Sequence, residues 1–314
     1  MNKKTLTLAL FASFAVRAQV QAYGAVPLIL YAVGSSLIHI EDYPPKEETD
    51  VHEEITQRAI KENITFAEVI GAQNAKDALL DIVNALKHPE VYKNIGAKMP
   101  KGVLLEGPPG NGKTLLAKAL AGEADVSFIA INGADFGEKY LGDGPKKVKE
   151  LFEQARAKAP CIIFIDEIDA LGTRGAEFGG GAQTENNRVI TELLTQLDGM
   201  NTDSDQPIIV VAATNCKDRI DSALIRSGRI DIAVAVEQPT LAERKELLQF
   251  YGSKAKLSTT IDFNALAQRT KNFSAADCQN LVNQAALSAV RRNATCIEQR
   301  DFIEALETRN IQKR

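Results

Sequence analysis

Residues 107–114 read Gly107-Pro108-Pro109-Gly110-Asn111-Gly112-Lys113-Thr114, after the apolar run Gly102-Val103-Leu104-Leu105 and before Leu115-Leu116-Ala117. This is a complete G-x-x-x-x-G-K-T phosphate loop in a strand, loop, helix setting. Glycines let backbone N–H groups turn inward, and a helix opening at Lys113 aims its positive end at the same point, so a polyphosphate meets donors and field together. On this reading Pro109, Gly110, Asn111 and Gly112 form the cradle and Leu115 carries it into the helix. Lys113 reaches the β- and γ-phosphates, and Thr114 holds a magnesium ion through its hydroxyl. A glycine-rich turn with no ligand has no need of Lys-Thr at that offset.

Downstream, Cys161-Ile162-Ile163-Phe164-Ile165-Asp166-Glu167 is an apolar strand ending in two acids. Open α/β sheets place ligands at strand ends, so these acids emerge beside the phosphates. Asp166 is placed for the magnesium shell, and Glu167 to polarise an attacking water as general base. Another strand ends at Thr214-Asn215, where Asn215 can help orient that water. Beyond it, Arg226 and Arg229 stand three apart. Lys113 already serves as the phosphate cation, which makes these guanidiniums candidates for fingers donated to a neighbouring subunit, with a surface salt-bridge pair as the alternative.

Short apolar runs at Val126 to Asn132, Ile162 to Ile165, Ile208 to Ala213 and Ile232 to Val236 alternate with helical patterns such as Val148, Leu151, Phe152, Ala155 and Val189, Ile190, Leu193, Leu194, Leu197. That alternation predicts a parallel sheet covered on both faces. Upstream, Ala75, Leu79, Ile82, Val83 and Leu86 predict an amphipathic helix over Asn74 to Lys87, ended by His88-Pro89. After Pro239 the strands stop, and Leu241 to Tyr251, Phe263 to Arg269, Ser274 to Arg292 and Gln299 to Thr308 all read as helices. Ser274 and Asp277 form a capping-box pattern for the third. A small helical domain is therefore appended to an α/β domain.

The first 40 residues hold no Asp or Glu, and their formal charges are Lys3, Lys4 and Arg17. Leu6 to Val16 has signal-peptide length and Val20-Gln21-Ala22 resembles a cleavage site. Ala22 to Ile40 is long enough to span a bilayer, although Pro27 and His39 weaken it. A cleaved signal peptide, a single anchoring span and a two-span hairpin all compete. Membrane attachment with the remainder on the ATP-containing side, cytoplasm or organelle matrix, is the expectation. Residues 41–62 read as a charged linker with a short helix near Ile55 to Ile60. His52-Glu53-Glu54 opens like a zinc-protease helix, but Thr56 stands where the second histidine is needed. Across 314 residues the formal charge of −4 supplies no basic excess for nucleic acid, and a 45% hydrophobic content supports a buried core. Cys161, Cys216, Cys278 and Cys296 form no C-x-x-C and read as free thiols.

The succession GPPGNGKT, IIFIDEID and TNCKDRIDSALIRSGRID resembles the AAA ATPase module, and within that superfamily it most resembles FtsH-type membrane-bound zinc metalloproteases. Phe66 to Gly71, Lys101 to Leu104, Leu115 to Ala119 and Asn280 to Leu287 strengthen the narrower likeness, which runs from about Ile64 to Leu306. It implies a P-loop α/β fold with a five-stranded parallel sheet of order 5-1-4-3-2 and a helical lid. It implies Mg2+ and ATP as cofactors and a homo-oligomeric ring of about six subunits. It also implies Asn215 as a sensor, Arg226 and Arg229 as fingers in trans, and Ile70 with Gly71 near the adenine. Lys139-Tyr140-Leu141-Gly142-Asp143-Gly144 resembles a pore loop in which Tyr140, Leu141 and Gly142 grip a polypeptide, with Asp143 where an apolar residue is usual. Ala182 to Glu185 lacks the histidine and acids usual after the glycine run, and no zinc-protease domain follows, so proteolysis is not carried over.

The organisation expected is therefore a targeting or membrane segment over 1–40, a linker over 41–62, an AAA α/β domain over 63–238 and a helical lid over 239–314. The function expected is ATP hydrolysis by a membrane-tethered ring that unfolds or remodels protein. The alternatives are a nucleotide-dependent binding or assembly module that does not thread, and one half of a split system whose protease is a separate subunit.

Overall fold

The computed structural model describes residues 60–137, 143–173, 181–200 and 207–312. The N-terminal apolar segment, the linker up to residue 59 and the loop residues Tyr140, Leu141 and Gly142 lie outside them. Among the described residues no helix is long and apolar enough to cross a membrane.

The elements run β1 (Ile60–Lys61), α1 (Gln73–Lys87), α2 (Pro89–Ile95), β2 (Gly102–Glu106), α3 (Lys113–Ala124), β3 (Ser127–Asn132), α4 (Asp143–Ala157) and β4 (Cys161–Asp166). They continue with α5 (Gly181–Asp198), β5 (Ile208–Thr214), β6 (Ile230–Ala235), α6 (Leu241–Ser253), α7 (Phe263–Arg269), α8 (Ala275–Arg291) and α9 (Gln299–Gln312). The sheet order is β1-β3-β4-β5-β2-β6, parallel except for β1, which pairs antiparallel with β3. Setting β1 aside, five parallel strands stand in the order expected from the resemblance. The reading of a short helix near Ile55 to Ile60 meets a difference at its end, because Ile60 pairs with Phe128 as a strand residue. Pro89 also does more than end α1. It occupies the first turn of α2, where its missing N–H has no helical partner to lose.

Alternation along each strand separates two cores. Val103, Leu105, Ile162, Phe164, Ile209 and Val211 face the side covered by α1 and α3. Leu104, Ile163, Ile165, Val210 and Ala212 face the side covered by α4 and α5. Strands buried on both faces need apolar residues at every position, which is why they read as continuous runs. Each fully buried Leu, Ile or Phe contributes about 1.5–3 kcal/mol, so both helical layers are strongly held. A third core unites α6, α8 and α9 through Leu247, Leu248, Leu281, Val282, Phe302 and Leu306. The capping box expected at Ser274 with Asp277 is formed, and a second, not read from the sequence, stands at Thr240 with Glu243. All four cysteines are free thiols, and burial pushes the Cys161 thiol up to about 12.

Candidate functional site

The phosphate loop leaves β2 at Glu106, and its first glycine passes so close to the Val236 carbonyl oxygen that no Cβ fits there. Lys113 opens α3 and is only 8% exposed. Its ammonium donates to the carbonyls of Gly107 at 2.7 Å and Pro108 at 3.0 Å and to Asn215 Oδ1 at 2.7 Å. Burial holds its pKa below the ordinary lysine value, against the opposing pull of Asp166 and Asp169. A cation held by neutral oxygens in a partly dry site is well disposed toward an anion. Asn111 adds a second sign, because both polar atoms of its amide are buried with no hydrogen-bond partner. Buried polar atoms are normally satisfied, so this pair fits a loop shaped around a polar ligand.

Thr114 Oγ1 donates to Asp166 Oδ2 at 2.7 Å. A hydroxyl and a carboxylate in contact at a phosphate loop are the hard oxygen donors that magnesium takes when phosphates complete its shell. The residues present therefore fit both groups, ATP and Mg2+. Asp166 Oδ1 accepts from the Glu167 N–H at 3.0 Å, so the first acid also fixes the backbone of the second. Glu167 sits in the left-handed region with φ 51°. For a non-glycine residue this costs on the order of 1–3 kcal/mol, the kind of strain that clusters at functional sites.

Asn132, read from sequence only as a strand end, lies opposite Asp166 across the β3–β4 pairing. Its Oδ1 accepts from the Ala134 N–H at 2.8 Å, which leaves its Nδ2 to donate to Glu167 Oε2 at 3.2 Å. Asp169 likewise carries no mark in the sequence of what it does. It accepts from the Thr214 hydroxyl at 2.6 Å, and Thr214 Oγ1 accepts from the Cys216 N–H at 2.9 Å, so the tip of β5 that carries Asn215 is braced on both sides.

Lys113, Thr114, Asp166, Glu167 and Asn215 share one cleft of about 470 Å³. Residues Pro109 to Leu115, Asp166, Glu167 and Asn215 line its phosphate end. The other end is walled by Val69, Ile70, Leu247, Phe250, Tyr251 and Gln279, an apolar and aromatic setting suited to a flat base. Gly71 does not line the cleft; it sits one residue behind Ile70 and packs on Glu243. The lid also touches the loop directly, where the Ala276 N–H donates to the Gly110 carbonyl at 2.9 Å.

Arg226 and Arg229 do not line this cleft. Arg226 is exposed. Arg229 donates from Nε and Nη2 to the two oxygens of Asp198, both at 2.8 Å, and from Nη1 to the Ala223 carbonyl at 2.7 Å. This bidentate contact holds the Asp198 carboxyl below its ordinary range and raises the arginine.

Comparison with known proteins agrees with this architecture. The model of the ATPase family associated with various cellular activities (AAA) matches residues 103–238, and that of the AAA+ lid domain matches residues 260–304. ATP-dependent zinc metalloprotease FtsH 1 of Sphaerobacter thermophilus is 44% identical over 247 residues, which is 79% of this chain and 38% of that protein. FtsH 3 of Synechocystis sp. is 48% identical over 245 residues, 78% of this chain and 39% of the relative. The chloroplastic FTSH of Nicotiana tabacum is 47% identical over 252 residues, 80% and 35% respectively. The match thus spans under two fifths of the length of these relatives. With a phosphate loop and its acids converging on a cleft roofed by a helical lid, and with both family models matching in order, the chain belongs to the AAA ATPase family, its cofactors are ATP and Mg2+, and it is related to the ATPase portion of FtsH proteins.

Proposed function

We propose that the chain hydrolyses ATP within a ring of about six subunits and uses the cycle to pull on or remodel a protein, tethered to a membrane through residues 1–40. The observation that carries the reading is the convergence of Lys113, Thr114, Asp166 and Glu167 at one end of a single cleft. Each of these side chains has a separate task. Lys113 exchanges its carbonyl partners for phosphate oxygens, and Thr114 with Asp166 holds the metal. Bound magnesium would neutralise charge on the phosphates. Glu167, steadied by Asn132, accepts the proton of the attacking water, while Asn215 orients that water.

The domain boundaries expected from sequence, 63–238 and 239–314, mark the two bodies that would move against each other. Arg226 and Arg229 act in this scheme on a neighbouring subunit's nucleotide, and Tyr140, Leu141 and Gly142 face the channel. The charge of −4 and the absence of a basic excess favour a protein substrate over nucleic acid. The test is Glu167→Gln in the full chain. It should bind ATP as the parent does and release no phosphate, and parental turnover in this variant would overturn the base assignment.

A further inference from the structure

Glu243, in the first turn of α6, serves two bodies with one carboxylate. Its Oε2 accepts from the Thr240 N–H at 2.7 Å and from the Thr240 hydroxyl at 2.8 Å, completing the capping box of its own helix. Its Oε1 reaches across to the α/β domain and accepts from the Ala72 N–H at 3.0 Å. Ala72 is the N-cap of α1, and this helix has neither a side-chain cap nor an acid in its first turn. A lid residue therefore supplies the acceptor and the negative charge that the start of α1 lacks.

The approach is built into the backbone. Gly71 takes a left-handed conformation with φ 73°, and a Cβ there would stand 2.7 Å from Glu243 Oε1. The residue before it, Ile70, lines the nucleotide cleft and packs on the lid core. The helix that carries Glu243 supplies Leu247, Phe250 and Tyr251 to the same wall. The two oxygens also differ mechanically. The Oε2 contacts lie within the lid and travel with it, whereas the Oε1 contact must break if the lid turns away from the Ile70 to Ala72 turn.

We propose that Glu243 is a positioning residue that latches the lid onto the Ile70 to Ala72 turn, so that its carboxylate sets how long a nucleotide stays in the cleft. The inference rests on the nucleotide-binding reading above and adds a determinant of residence time outside the phosphate loop. A carboxylate is required because both of its oxygens accept. A glutamine that keeps the capping box turns its NH2 group toward the Ala72 N–H, a donor facing a donor.

The test follows dissociation of a fluorescent ADP analogue from the full chain, chased with excess ADP. Thr240→Ala weakens the cap of α6 and leaves the Ala72 contact, so its dissociation rate should match the parent even though its melting temperature falls. Glu243→Gln should keep the cap and speed dissociation by about tenfold, the scale of one lost hydrogen bond to a charged group. Gly71→Ala, which forces the carboxylate away from the other side, should speed it as well. Equal dissociation rates in Glu243→Gln and Thr240→Ala would overturn the latch, as would parental rates in both Glu243→Gln and Gly71→Ala. A parent chain that bound no ADP analogue would remove the ATPase reading itself, and the latch with it.

Discussion

Replacing Lys113 by alanine separates the nucleotide response of this protein from its intrinsic stability. The ammonium donates to three oxygens at 2.7, 3.0 and 2.7 Å, and its removal leaves them without that donor. A buried acceptor left unsatisfied costs about 1–3 kcal/mol. Against this, the variant also loses a charge that burial disfavours, as the lowered lysine pKa records. The two effects oppose, so the melting temperature without nucleotide should change little. The sign of the pH dependence follows from the same shift. Between the lowered value and the ordinary 10.5, the unfolded chain holds the Lys113 proton more tightly than the folded chain, so stability gains with rising pH in that window. Lys113→Ala should lack that gain. Nucleotide binding behaves differently, because truncating one member of a buried charge pair costs about 2–5 kcal/mol, a factor of about 30 to several thousand in affinity. At a hundred times the parental Kd, ligand stabilises by about 2.7 kcal/mol, or about 5–10 °C for a domain of this size. The same concentration should raise the variant by no more than about 3 °C. Thermal melts with and without ADP and magnesium measure both quantities, and an undiminished ligand shift in Lys113→Ala would refute the assignment of this cation.

Arg226→Ala and Arg229→Ala should each lower ATP turnover by about 10³ or more at unchanged nucleotide affinity, read by phosphate release and equilibrium binding. Only Arg229→Ala should also lower the melting temperature, because only Arg229 holds Asp198 and the Ala223 carbonyl; parental turnover in either variant would count against a finger role for that residue. Asp301 is fully buried and its carboxyl is held below the ordinary 3.8 by the Arg292 guanidinium, so its contribution is present above that value and lost as pH falls through the lowered one. Asp301→Asn should cost about 1.5–3 kcal/mol in urea melts at neutral pH, the scale of hydrogen bonds to a charged group, and show a weaker loss on acidification, and an unchanged urea midpoint would refute it. Tyr140→Ala should keep basal ATP hydrolysis and lose unfolding of a tagged substrate, whereas Tyr140→Phe should keep both; unfolding at the parental rate by Tyr140→Ala would refute threading.

The parts of the fold legible from sequence are those whose signal is local. Doubly buried strands must be apolar at every position, and α1 must repeat its apolar residues every three or four, so β2, β4, β5 and α1 announce themselves. The two residues of β1 carry no period of their own. They form a strand only because the exposed edge of β3 offers unpaired backbone groups at Ser127 and Phe128, a nonlocal cause that no window around Ile60 contains. Pro89 ends α1 as its position implies, but it conceals the start of α2 for a different reason. The same locked φ that stops one helix starts the next, and the sequence around His88 is consistent with either outcome.

At the site, the same division separates a motif from its support. Lys113, Thr114, Asp166 and Glu167 are legible because phosphate and metal chemistry demands those residue types at those offsets from a strand end. Asn132 carries no such demand. It meets Glu167 because β3 and β4 pair with Asn132 opposite Asp166, and its amide is aimed by the Ala134 N–H. Glu243 likewise has no motif to mark it, because its second oxygen meets the Ala72 N–H only once the lid packs on the α/β domain. In sequence Arg226 and Arg229 look equivalent, three residues apart after the same strand. In the fold Arg229 is clamped by Asp198 at the end of α5, while Arg226 stands exposed. An arginine already engaged by a carboxylate must give up both of those hydrogen bonds before it can face a phosphate, and an exposed one need only shed water. Residue type and spacing therefore nominate both, and the partner each finds within its own chain decides how readily each can leave it.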